Sequence, residues 1–145
     1  MNTYNFFRLV TFDISYLESI NKLLSQLTSS EVKLNEIDLK EILKSDSTEL
    51  YFMAYGDEII GMFTLGFYIT PTGRKCWLED VVIDSAYRGK SLGKVLMQEV
   101  KDIVVGKGNI TLMLTSKPSR VAANRLYQGS GFDIKETNVY VKFFD

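Results

Sequence analysis

The chain has 145 residues, 46% of them hydrophobic and 24% charged, with a formal net charge of −1. That length suits one domain with a real core, and the near-neutral charge excludes a global basic field for nucleic acid. No apolar run reaches the length of a membrane span. The start "MNTYNFFRLV" lacks the basic end, apolar stretch and cleavage site of a secretory signal. A single cysteine, Cys76, excludes an internal disulfide, so the expected compartment is a reducing cytoplasm. Histidine is absent. The commonest general base and the commonest metal ligand are thereby removed together, and no metal is expected. Proton chemistry falls to Glu, Asp, Tyr, Lys or Cys.

Taken in chain order, "NFFRLVTF" (5–12) is rich in aromatic and β-branched residues and predicts a strand. Asp13 can cap a helix in which Ile14, Leu17, Ile20, Leu24 and Leu27 recur at helical spacing to about Thr28. "NEIDLKEILKS" (35–45) predicts a shorter helix. "ELYFMAYG" (49–56) and "IIGMFTLGFYI" (59–69) predict a hairpin, and 69–75 a loop. "CWLEDVVID" (76–84) predicts a strand whose run Val81, Val82, Ile83 suits a position covered on both faces. Leu92, Val95, Leu96, Val100 and Ile103 mark a helix over about 90–105, ended by Gly106 and Gly108. "NITLMLT" (109–115) predicts a strand, "SRVAANRLYQGSG" (119–131) a helix, and "FDIKETNVYVKFF" (132–144) a closing pair of strands. The order is β α α β β β α β α β β. This is an α/β arrangement with a largely antiparallel front half, in a single domain over 1–145.

The stretch "AYRGKSLGK" (86–94) has the look of a phosphate grip. A nucleoside-triphosphate loop would need glycine where Asp84 stands, and a carboxylate there opposes a triphosphate. A dinucleotide fingerprint begun at Gly89 would need glycines where Ser91 and Lys94 stand. What remains is a strand running through a turn into a helix N-terminus, where free N–H groups and the helix dipole favour an anion. The plainer reading is a solvated basic helix start capped by Ser91.

Arg88-Gly89-Lys90-Ser91-Leu92-Gly93 resembles the hallmark [QR]-x-x-G-x-[GA] of the GNAT superfamily of N-acetyltransferases, with serine in place of the middle glycine. "LEDVVIDSAYRGK" before it and "AANRLYQGSGF" after it resemble the family's strand-to-loop passage and its second signature. The resemblance covers about residues 76 to 132. It implies a mixed, largely antiparallel sheet flanked by helices, an acetyl-CoA co-substrate and a primary amine acceptor. It also implies that the pyrophosphate rests on the backbone of Arg88, Gly89, Lys90, Ser91, Leu92, Gly93 and Lys94. Ser91 would crowd that site if its position needs close approach or a positive φ, unless its hydroxyl donates to phosphate.

By the same resemblance, Val81, Val82 and Ile83 match the strand that splays at a bulge and pairs its main chain with the pantetheine arm. Read from the residues alone, they are core. Tyr127 matches the tyrosine that protonates the leaving thiolate, and Asn124 a position that contacts the cofactor. Glu79 resembles a base or amine anchor, which would need partial burial to act well, or else it pairs with Arg74 or Lys75. Alternation is expected to send Glu79 and Asp80 to opposite faces. Cys76, with no histidine partner, reads as an inert thiol. Glu31, Glu36, Asp38, Glu41, Asp46 and Glu49 give the segment 28–49 an acidic character that suits a cationic acceptor or a solvated face. The alternatives are an acyl-CoA-binding module without turnover and an interaction protein that binds no acyl-CoA. Family members are often dimers, so a homodimer is expected by resemblance alone.

Overall fold

The computed structural model describes residues 3–28 and 31–145. Met1 and Asn2 at the chain start, and Ser29 and Ser30 of the acidic segment, lie outside the described residues. The chain divides into two compact units, Met1–Thr115 and Ser116–Asp145.

The first unit is built on a five-stranded sheet in the order β1-β2-β3-β4-β5. Its strands are β1 (Tyr4–Arg8), β2 (Thr48–Tyr55), β3 (Glu58–Thr70), β4 (Gly73–Ile83) and β5 (Thr111–Met113). Neighbours from β1 to β4 are antiparallel, and β5 joins β4 in parallel. Helices α1 (Ile14–Leu27) and α2 (Glu36–Lys44) connect β1 to β2. Asp13 caps α1 by accepting from the Ser15 amide, and Asn35 caps α2 by accepting from the Asp38 amide. Glu36 and Asp38 at the start of α2 and Lys44 at its end also match its dipole. Asn21 acts as a surrogate strand for the segment between the helices: it donates to the Leu34 carbonyl at 3.0 Å and accepts from the Leu34 amide at 2.8 Å.

Both helices bury their apolar stripes on one sheet face. Ile20, Leu23 and Leu39 meet Leu50, Phe52, Met62 and Val82 there. Cross-strand partners share a face, so the register places Glu49, Tyr51, Phe63, Leu65, Phe67, Cys76 and Leu78 on the other. Helix α3 (Leu92–Val105) belongs to that side. It buries Leu96, Met97, Val100 and Val104, and Lys107 just beyond it donates to Glu49 at 2.6 Å.

The expected loop over 69–75 is instead the tip of a hairpin. Strands β3 and β4 stay paired to Thr70 and Gly73, leaving only Pro71 and Thr72 between them. The Thr72 amide donates to Thr70 Oγ1, and Gly73 supplies the φ of 130° that the return needs. The first strand ends early, at Arg8, and β5 is confined to Thr111–Met113.

The second unit contains α4 (Val121–Gly129), which stops at Ser130 before Gly131 with φ 96°. The closing strands expected over 132–144 do not form: that segment carries no helix or strand. High β propensity makes a strand only when a ladder partner is present, and this segment pairs with none among the described residues. No described helix is long and apolar enough to cross a membrane.

Candidate active site

The site begins at an interruption in β4. Across the β3–β4 ladder Met62 pairs with Val82 and Thr64 with Glu79, so Asp80 and Val81 stand opposite the single residue Phe63. This is a β-bulge. Asp80 takes the extra turn with φ 50°, a left-handed conformation that is uncommon for a residue with a side chain. The bulge also reverses the side-chain parity. Glu79 and Val82, three residues apart, share the α1–α2 face with Thr64 and Met62. The break in strict alternation thus lies between Glu79 and Val82, and Glu79 and Asp80 are both exposed.

The bulge coincides with a gap in the sheet. β5 pairs with β4 only at Lys75, Cys76 and Trp77. From Leu78 to Ile83 the β5-side edge of β4 has no strand against it among the described residues. Val82 is buried while Val81 and Ile83 are half-buried, so aliphatic side chains fix the strand and its main chain remains available. Such an edge can pair with an extended ligand as another strand would.

Strand β4 leads through a short 3-10 turn (Ser85–Tyr87) into α3. Asp84 is buried, and its Oδ1 accepts from the Ala86 amide at 3.0 Å. That amide, with help from Lys22 and Gln26 and against burial, holds the carboxyl below its ordinary range. Gln26 Oε1 accepts from the Ser85 amide at 2.7 Å. Arg88 donates its Nε proton to the Ile83 carbonyl at 3.1 Å and closes the loop on itself. Tyr87 donates to Glu58 at 2.5 Å, and Lys90 Nζ stands 5.0 Å from the centre of the Tyr87 ring. The loop is thus fastened to α1, to β4 and to the β2–β3 turn.

At the end of this loop the backbone turns left-handed twice. Gly89 has φ 81°, and Ser91, the N-cap of α3, has φ 58° and ψ 24°. Ser91 occupies the conformation that glycine adopts freely. Its hydroxyl makes no capping bond, so the plainer reading of a serine-capped helix start does not hold. By helical geometry the first four N–H groups of α3 have no partner within the helix. With Ser91 as the N-cap they lie at Ser91, Leu92, Gly93 and Lys94, at the positive end of a 14-residue helix. Concave backbone with this alternation and free donors accepts an anion. Arg88, Gly89, Lys90, Ser91, Leu92, Gly93 and Lys94 are brought together here, with Arg88, Lys90 and Lys94 exposed.

Glu79 lies on the exposed α1–α2 side of β4, and among the described residues it forms no ion pair with Arg74 or Lys75. The other sequence-derived candidates belong to the second unit. Tyr127 is buried in α4, edge-on to Phe132 at 6.3 Å between ring centres. Asn124 donates to the Lys117 carbonyl at 2.9 Å, which ties the approach to α4 onto its first turns. Cys76 is fully buried and its thiol is pushed up to about 11, burial being the main cause. It is no nucleophile at neutral pH. Glu49, counted with the acidic segment, is also buried and holds Lys107 and Tyr51, so it is not part of a solvated acidic face.

Sequence reading missed Asp84, Lys22, Gln26 and Tyr87 as supports of the loop. The D-x-A pattern at Asp84 could have signalled a cap, but nothing local announces that Gln26 reaches Ser85 across 59 positions.

The fold has clear counterparts among solved structures. An aminoglycoside acetyltransferase from an uncultured soil metagenomic sample, solved with trehalose, matches with TM-score 0.83 at 14% identity, covering 97% of this chain and 95% of that one. The aminoglycoside N-acetyltransferase AAC(6')-Iy in complex with CoA matches with TM-score 0.80 at 17% identity, covering 99% of this chain and 96% of that one. An acetyltransferase of Trypanosoma brucei matches with TM-score 0.76 at 25% identity, covering 97% of this chain and 100% of that one. No match arises among curated protein sequences. The model of the acetyltransferase (GNAT) family matches residues 17–132, from α1 through the bulged strand and the α3 loop to the end of the α4 signature, and the chain belongs to that family.

Proposed function

We propose that the chain acts over its whole length as one acetyl-CoA-dependent N-acetyltransferase that acylates a primary amine by direct attack in a ternary complex. The observation that carries this reading is the continuity of an unpaired β4 edge, at Leu78–Ile83, with the doubly left-handed turn and uncapped start of α3. The first can pair with the amide-bearing pantetheine arm, and the second can take the pyrophosphate. Binding would rest on main-chain donors, with Arg88, Lys90 and Lys94 adding charge. CoA bound to AAC(6')-Iy at the same fold supports the choice of ligand.

In the reaction the amine nitrogen attacks the thioester carbonyl carbon, an N–C bond forms, and the C–S bond breaks. Proximity in the ternary complex supplies most of the rate. A free N–H on the β4 edge near Val81 would polarise the carbonyl oxygen. Tyr127, on the match to the family signature, would give its phenolic proton to the leaving thiolate. Glu79 would take the ammonium proton through water. The acceptor is a primary amine on a small molecule or peptide, for which the exposed Glu36, Asp38, Glu41 and Asp46 offer a counter-charge. A cytoplasmic setting is the one that the single cysteine suggests.

One observation favours a second reading. Glu79 is exposed, whereas an efficient carboxylate base needs its proton affinity raised by burial. On that reading the chain holds acyl-CoA without turnover. Free thiol release from acetyl-CoA over a panel of amines, with wild type and Tyr127→Phe side by side, separates the two. Thiol release that falls in Tyr127→Phe with little change in the KM for acetyl-CoA is the expected result. Saturable binding with no release for any amine would establish the binding module instead.

A further inference from the structure

Ahead of its bulge, β4 carries a row of side chains on the α1–α2 face of the sheet. Alternation is regular there, so Lys75, Trp77 and Glu79 share that face. Their cross-strand partners on β3 are Tyr68, Gly66 and Thr64. The apolar core on this side rests on Leu50, Phe52, Met62 and Val82, and the row lies beyond it along the strands. Here the face turns polar and aromatic. Glu79 and Tyr68 are exposed, and Lys75, Trp77, Gly66 and Thr64 are half-buried. All of these residues belong to the first unit.

The Trp77 indole donates its Nε1 proton to the Tyr68 hydroxyl oxygen at 2.9 Å. Two aromatic side chains are thereby fixed to each other before any ligand arrives, which lowers the ordering cost of binding on them. Gly66 leaves the place between Thr64 and Tyr68 without a side chain, and a Cβ there would meet nothing within 4 Å. The row is charged at both ends. Glu79 stands beside the bulge, and Lys75 follows roughly 13 Å away along the extended strand. Within the first unit neither has an ion-pair partner among the described residues.

We propose that this row selects the acceptor: a primary amine with one ammonium group, an apolar or aromatic body, and a carboxylate about 13 Å from the amine. The inference rests on the acetyltransferase reading above and narrows its acceptor. The ammonium sits at Glu79 beside the bulge, the body lies against Trp77 and Tyr68 over Gly66, and the carboxylate pairs with Lys75. An extended peptide of about four residues with both ends free has this length. A polyamine, or an amino sugar with several ammonium groups, brings like charge to Lys75 and is disfavoured. Lys75, Trp77 and Tyr68 set specificity and take no part in the chemical step.

Trp77 is the single tryptophan of the chain, so its fluorescence reports occupation of the row without turnover. The tetrapeptide Ala-Phe-Ala-Ala, its C-terminal amide and spermidine are titrated into wild type and Lys75→Met with CoA present. The expected result is a saturable change with the free acid and a dissociation constant about tenfold higher for the amide. That difference is expected to vanish in Lys75→Met, and spermidine is expected to bind more weakly than the acid. Equal affinity for acid and amide in wild type, a difference that survives Lys75→Met, or tighter binding of spermidine would each overturn the proposal. The wild-type comparisons decide it alone should Lys75→Met not fold. Thiol release from acetyl-CoA with the same peptides is read separately. Its absence beside acid-selective binding would sink the acetyltransferase reading and leave the selection by Lys75 standing.

Discussion

Lys22 Nζ lies 3.3 Å from Asp84 Oδ2, and through that pair the first helix holds the loop that leads into α3. Asp84 does two jobs, since its other oxygen caps the turn over Ser85–Tyr87. Replacing it with Ala removes the cap and the tether together. The expected loss is about 1 kcal/mol of stability, with weaker acetyl-CoA binding because the loop is no longer fixed. Denaturant unfolding and calorimetric titration read the two effects, and Lys22→Met is expected to weaken only the tether.

Asp84 also sets a pH dependence. Its folded carboxyl is held low, so its contribution to stability is complete above the ordinary carboxylate value of about 3.9 and is lost as pH falls through the depressed folded value. Glu49 follows the same sign: burial pushes it up, but the bonds from Lys107 and Tyr51 outweigh that and hold it low. Acid unfolding is therefore expected below about pH 4, and the acid limb of the stability curve is expected to flatten in Glu49→Gln.

The Glu49–Lys107 contact fixes the end of α3 to β2 across the sheet. Lys107→Met leaves a buried carboxylate with Arg8 at 3.6 Å and the Tyr51 hydroxyl as its remaining partners. The expected cost is about 2–3 kcal/mol, less than for a buried charge stripped of every partner. A double variant, Lys107→Met with Glu49→Gln, is expected to recover part of it. Chemical denaturation of the two single variants and the double measures the coupling.

Ser91 sits in a left-handed conformation at φ 58°. That position costs an ordinary residue about 1–2 kcal/mol, while glycine adds roughly 0.5–1 kcal/mol of chain entropy to the unfolded state. Ser91→Gly is therefore expected to stabilise the protein by up to about 1 kcal/mol and to keep or improve acetyl-CoA affinity. Ser91→Val, β-branched at a positive φ, is expected to destabilise it. Thermal melts with and without acetyl-CoA distinguish an effect on the fold from one on the ligand.

Cys76 is expected to resist thiol reagents in the native state. With its thiol pushed up to about 11, the thiolate fraction at neutral pH is small. Labelling should track global unfolding, and fast native-state modification would contradict the burial.

Much of the fold is written in local pattern. The stripes of α1 and α2, with Asp13 and Asn35 ahead of them, need only helical spacing and caps to be read. The question raised by Ser91 is legible too, because a hallmark glycine replaced by serine asks whether φ is positive there, and it is. The bulge is legible only through family resemblance, and its centre at Asp80 and Val81 lies slightly ahead of the Val81–Ile83 run. Other features depend on distant partners. Tyr87 meets Glu58 across 29 positions, and Glu49 meets Lys107 across 58, so neither leaves a local trace. The segment 132–144 misleads for a related reason. Propensity describes how well a residue fits a ladder, not whether the chain provides one.

The central claim is that backbone at the start of α3 binds the pyrophosphate of acetyl-CoA. Calorimetric titration of acetyl-CoA into wild type, Arg88→Ala and Gly89→Val tests it most directly. The account predicts saturable binding to wild type, a reduction of about tenfold or less in Arg88→Ala, and loss in Gly89→Val, where a β-branched residue cannot hold φ 81°. No heat of binding to wild type at millimolar acetyl-CoA, or undiminished binding to Gly89→Val, would contradict it.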